Sequence, residues 1–135
     1  MTFTIQDFGK SNAAQFANSV SITIPASPSN VKLAEFGLSV VAGGQAVLEA
    51  TVGTQATLGQ PDIVYSIFRG VTLIFTIKSS DLVASKFDEV SFSYTDVLLG
   101  SGYFAYSITA EIANSIVSNQ ANVIGPITFS GISLL

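Results

Sequence analysis

The chain has 135 residues, of which 48% are hydrophobic and 10% charged, with nine acidic residues against five basic ones and no Cys, His or Trp. At this length a single core suffices, whereas an average soluble protein carries about 25% charged residues, so an isolated copy is short of the charge needed to cover its exterior. The missing residue types exclude disulfides, thiolate or His-containing metal sites and Ser-His chemistry, and Lys10, Lys32, Arg69, Lys78 and Lys86 are too scattered to form a phosphate-binding stripe, so neither a cofactor nor a nucleic-acid partner is expected.

In chain order, residues 1–16 read as an arm. Phe3, Ile5 and Phe8 lie in an extended stretch that Gly9-Lys10-Ser11-Asn12, read as a hinge, separates from the regular strands, and Thr2, Thr4 and Gln6 take the opposite parity to Phe3 and Ile5. That pattern suits a segment added as a strand to another subunit's sheet, with Phe3, Ile5 and Phe8 as the connector; a first strand of the chain's own sheet competes with it. The opening MTFTIQDFGK has an acid where an export signal has its basic region, which points to production in the cytoplasm.

Residues 17–135 read as one all-β domain. Apolar residues recur at alternate positions in 20–24, 31–41, 46–52, 63–68, 71–77, 90–94, 103–108 and 127–134, about eight strands parted by turn-rich junctions such as Gly43-Gly44, Arg69-Gly70 and Gly125-Pro126. Helical periodicity is confined to at most a turn or two at 12–18 and 112–117. The longest charge-free stretches, 11–31 and 112–135, are broken by Pro25, Pro28 and Pro126, so no spanning helix and no membrane insertion are expected. The architecture implied is a β-sandwich or jelly roll.

Candidate chemistry is sparse. Asp88-Glu89 is the only adjacent carboxylate pair, with Asp81 and Asp96 nearby in sequence, and no spacing here sets up an acid and base or a calcium loop, so no catalytic role is expected. The single arginine, Arg69, reads as a solvent-facing hairpin tip, with pairing to a neighbouring subunit's carboxylate as the alternative. Tyr65, Tyr94, Tyr103 and Tyr106 are the tyrosines a binding surface would draw on.

Gly102-Tyr103-Phe104-Ala105-Tyr106 after Gly100-Ser101, and the ending Thr128-Phe129-Ser130-Gly131-Ile132-Ser133-Leu134-Leu135, resemble the last strands of the globular heads of the complement and tumour necrosis factor superfamily. The stretches 59–78 and 122–131 are also similar to small spore-surface (exosporium) proteins of Bacillus-like bacteria. Over residues 17–135 the resemblance implies a jelly roll assembled as a homotrimer, with Tyr103, Phe104, Tyr106, Phe129 and Leu134 in the core or trimer interface. The collagen-like stalk of many such heads is absent. The functional expectation is a structural subunit whose trimers join through the arm into a fibre, appendage or layer on the spore surface, with itself, and another spore-surface protein, as partners. A receptor- or glycan-binding head and a phage or virus structural protein are the alternatives.

Overall fold

The strands form where β-branched and aromatic residues alternate with small polar ones. In the computed structural model, which describes residues 3–80, 85–97, 100–114 and 118–135, they are β1 (Ile5–Ala14), β2 (Ile22–Thr23), β3 (Val31–Val40), β4 (Gln45–Leu58), β5 (Ile63–Arg69), β6 (Thr72–Ser79), β7 (Phe87–Val97), β8 (Gly102–Ile112) and β9 (Gln120–Leu134). No helix occurs among the described residues. Each of the eight alternating segments contains a strand, although 20–24 yields only the two residues of β2. Residues 115–117 and Asp81 lie outside the described residues.

The strands make two antiparallel sheets. Sheet A runs β1-β9-β4-β7, with β2 also on β9, and sheet B runs β3-β8-β5-β6. With the two-residue β2 set aside, the first strand pairs with the last (β1 with β9), the second with the penultimate (β3 with β8), the third with the sixth (β4 with β7) and the middle two with each other (β5 with β6). This is jelly-roll connectivity. The inward residues of the two sheets share one core, in which Leu38, Leu48, Val52, Ile63, Ile67, Tyr106, Ile108, Val123, Ile127 and Phe129 are essentially solvent-free. Burying each large side chain contributes about 1.5–3 kcal/mol.

The arm expected at residues 1–16 is corrected here. Ile5–Ala14 is an edge strand of the chain's own sheet, paired with β9 from Ile5↔Leu134 to Ala14↔Ile127. Gly9 and Gly131 are cross-strand partners, and a Cβ on either would overlap the ring of Phe36. Gly9 is therefore a clearance point rather than a hinge: it lets Phe36 of β3 reach Phe129, at a 4.7 Å ring separation, and Tyr106, at 6.0 Å. Asp7 adds a second tie, its Oδ2 accepting the Ser39 backbone N–H across the sheets at 2.7 Å.

β9 holds a proline in the middle of its sheet, which a ladder tolerates only at an irregularity. Register breaks there: Val52 faces Ile127 and Thr54 faces Val123, so Ile124, Gly125 and Pro126 stand against Gly53 alone. The resulting gap opens a groove of about 370 Å³ lined by Ala17, Asn18, Gly53, Phe87, Glu89 and Pro126, among others.

Candidate interaction surface

The outward parity of sheet A decides where the charge shortage falls. Reading across the ladder, the outer rows are Ile5–Leu134–Gln45–Val97, then Phe8–Ile132–Val47–Thr95, then Lys10–Ser130–Glu49–Ser93, then Thr128–Thr51–Ser91. The first two rows are apolar except for Gln45 and Thr95. Ile5, Val97 and Phe8 are 66%, 65% and 56% exposed, and Val47, Ile132 and Leu134 are half-buried by one another. Six apolar side chains thus form one open patch at the end of the sheet where the chain terminates. Contiguous exposed apolar patches are the kind of surface that contact sites present.

The residues singled out in the sequence divide between this face and the core. Ile5 and Phe8 stand on the open face, and Phe3 is exposed beside the sheet end, where Thr4 and Leu135 exchange backbone hydrogen bonds of 2.8 and 3.0 Å. Phe129 and Tyr106 are core, Phe104 packs at its margin, Leu134 belongs to the open face, and Tyr103 is 72% exposed on the outer side of sheet B. Of the remaining tyrosines, Tyr65 is buried and Tyr94 half-buried, so Tyr103 alone offers a largely exposed ring. Sequence reasoning misses Val47, Val97 and Ile132, although Ile132 and Leu134 share the parity of Thr128 and Ser130, and an apolar turn on the polar side of a strand is a readable signal.

Arg69 is not the solvent-facing tip expected of it. Gly70 and Val71 form the tip of the β5–β6 hairpin, with Gly70 at φ 61° and Val71 fully exposed. Arg69, of inward parity, donates through Nη1 to Asp96 of β7, 2.7 Å from Oδ1 and 2.5 Å from Oδ2. The Tyr106 hydroxyl donates to the same carboxylate at 2.8 Å. Asp96 is buried, so the two donors supply the compensation that a buried charge requires. The guanidinium is held further above its ordinary range by that hydrogen bond, and burial followed by the Asp96 contact pushes the Tyr106 phenol up. The cluster ties β7, an edge of sheet A, to β5 and β8 of sheet B. Of the other acids, Asp88 accepts from Ser79 Oγ at 2.8 Å, and no group of three metal-ligating side chains occurs among the described residues.

No protein-family model matches the chain, and no curated protein matches it. Solved structures do. The chain is similar to a protein in the structure of infectious bursal disease virus Gx strain, with a TM-score of 0.60, 10% identity and 98% of this chain covered. The fold is a jelly-roll-like β-sandwich. A second match, in the T13 particle of the same virus, has a TM-score of 0.60, 8% identity and 93% coverage, and the VP2 subviral particle gives 0.55, 9% and 95%. The chain spans only 30–39% of the length of these capsid proteins, and at such identities the likeness speaks for the fold.

Proposed function

We propose that this chain is a self-associating structural subunit. The observation that carries the proposal is the open apolar face of sheet A, where Ile5, Phe8, Val47, Val97, Ile132 and Leu134 stand together on a chain with too few charges to cover itself. Placing such a face against another copy removes it from water at about 25 cal/mol per Å². The fold supports the reading, since its structural neighbours include proteins of virus particles.

The finer form of the proposal is a trimer built into a fibre or layer on a bacterial spore surface, and the resemblance of residues 17–135 to exosporium and tumour necrosis factor-like heads motivates it. The connector role of Phe3, Ile5 and Phe8 changes character: Ile5 and Phe8 act as side chains on a sheet face, because β1 is built into the chain's own sheet through its pairing with β9. A ligand-binding module is the second reading, favoured by the groove beside the exposed Phe87 and Glu89. Sedimentation and native mass measurement across micromolar concentrations test the first reading. Multiples of 14.1 kDa are expected; a monomer at every concentration would overturn self-association and favour the groove.

A further inference from the structure

The third outer row of sheet A carries two charges that the fold leaves unmatched. Lys10 on β1 and Glu49 on β4 flank Ser130 of β9, and among the described residues neither makes an ion pair or a side-chain hydrogen bond. They are two strands apart, about 9.6 Å between backbones, and do not pair within the chain. They lie symmetrically about β9, with opposite signs at equal distance on the same row, directly below the apolar rows.

A surface with this arrangement is complementary to itself. If a second copy is laid face to face by a two-fold rotation about an axis running along β9, every row meets its own row and left exchanges with right. Lys10 then meets Glu49 of the second copy, and Glu49 meets its Lys10. In the row above, Phe8 meets Val47 and Ile132 meets Ile132; in the first row Leu134 meets Leu134 and Ile5 lies on Gln45, while Val97, on β7, falls outside the contact. The alternative two-fold axis, across the strands through the second row, would set Lys10 against Ile5 and leave the ammonium group buried without a partner, which is costly. Sheets packed face to face keep their strands nearly aligned about 10 Å apart, and the first arrangement meets that condition.

We infer that the outer face of sheet A is an isologous contact with a second copy of this chain, with its two-fold axis along β9, its centre at Ile132 and its register fixed by reciprocal Lys10–Glu49 pairs. The inference rests on the self-association reading and deepens it. Three strands and four rows give a footprint of roughly 15 by 25 Å, less than a stable stand-alone interface buries. A contact of this size is weak alone and becomes effective where several act together. In an assembly of trimers it is the joint between trimers, the place expected for the arm, and its two-fold symmetry closes on itself, so it builds layers or shells only in combination with a three-fold contact.

Charge exchange tests the geometry. At concentrations high enough to populate a weak contact, wild-type protein is expected at twice 14.1 kDa, or at six times where a three-fold contact closes with it on six copies. Lys10→Glu and Glu49→Lys each place like charges at both reciprocal positions and are expected to halve that mass. An equimolar mixture of the two variants, one carrying a mass tag, is expected to restore it. In a mixed pair the two introduced side chains, of opposite sign, face each other at one reciprocal position, and the native Lys10 and Glu49 face each other at the other. A pairing contact elsewhere on the surface would leave the single variants at the wild-type mass, and a contact in which position 10 does not face position 49 would leave the mixture unrestored; either outcome overturns the inference while self-association stands. A wild-type monomer at all concentrations overturns the underlying reading itself.

Discussion

The two sheets share one core but differ in what they show to water. The outer face of sheet B carries Ser66, Ser107 and Thr109 in its central strands, packed so closely that each is buried, with Thr76 and Glu35 around them. Of its charges, Lys32 pairs with Glu35 at 2.8 Å and Lys78 with Asp62 at 3.9 Å, while Glu111 makes no ion pair among the described residues. Its exposed apolar residues, Val71, Leu73 and Tyr103, gather toward the hairpin end. On sheet A the corresponding rows are apolar and the nearest charges are unmatched. Apolar residues are thus exposed on both sheets, but on sheet A they share two consecutive rows with half-buried apolar neighbours and form one continuous face.

The comparison assumes that both faces are carried by the same interior, and the interior can be broken first. Phe129, central in β9, packs on Phe36 and is 1% exposed. Phe129→Ala is expected to cost about 3–5 kcal/mol of unfolding free energy, read as a lower urea midpoint at unchanged slope, because the cavity lies between the two sheets. An unchanged midpoint would mean that the sheets do not share this core.

The interior also differs from both faces in how it titrates. The Tyr65 hydroxyl on β5 and Thr54 Oγ1 on β4 are buried near each other without a well-formed hydrogen bond, and burial pushes the Tyr65 phenol from 10.0 up to about 12. The folded state holds the neutral phenol. Its stabilising contribution is therefore complete below pH 10 and is lost as pH rises from 10 toward 12, at up to about 1.4 kcal/mol per unit. Urea unfolding through that range is expected to show the loss, and Tyr65→Phe to show less of it at no cost near neutrality, since an unpartnered hydroxyl contributes nothing there. A parallel decline in the variant would assign the alkaline loss to other groups, Tyr106 first among them.

Much of this fold is legible as alternation, because a strand with one buried face writes its period into the sequence. Val31–Val40 and Ile63–Arg69 stand close to where their parity puts them. β1 is harder to place, since Gly9 reads as a hinge until Phe36, 27 positions later, is seen filling the space a side chain would take. The Arg69–Asp96 pair is illegible for the same reason: its partners sit on strands in different sheets, and no local spacing records which strands will face each other. The open face lies between these cases. Its apolar residues are visible in Ile132 and Leu134, but recognising them as one patch needs the register that sets Phe8 and Val47 on either side of Ile132.

The smallest expected effect on folding bears most directly on the contrast between the faces. Ile132→Lys and Thr76→Lys each place an ammonium group on an outward position, one per sheet. Both positions are at least partly open to water, so a long side chain can carry its charge into solvent, and each substitution is expected to change monomer stability by less than about 1 kcal/mol. Their effects on association should diverge. Position 132 lies on the two-fold axis, so every pair would bring two new ammonium groups together in the centre of an apolar contact, and the mass should fall by half. Thr76→Lys adds a charge to a face already covered by its own hydroxyls and should leave the mass unchanged. Equal dissociation by both would show that net charge, rather than the face of sheet A, governs assembly, and the distinction between the two faces would lose its functional meaning.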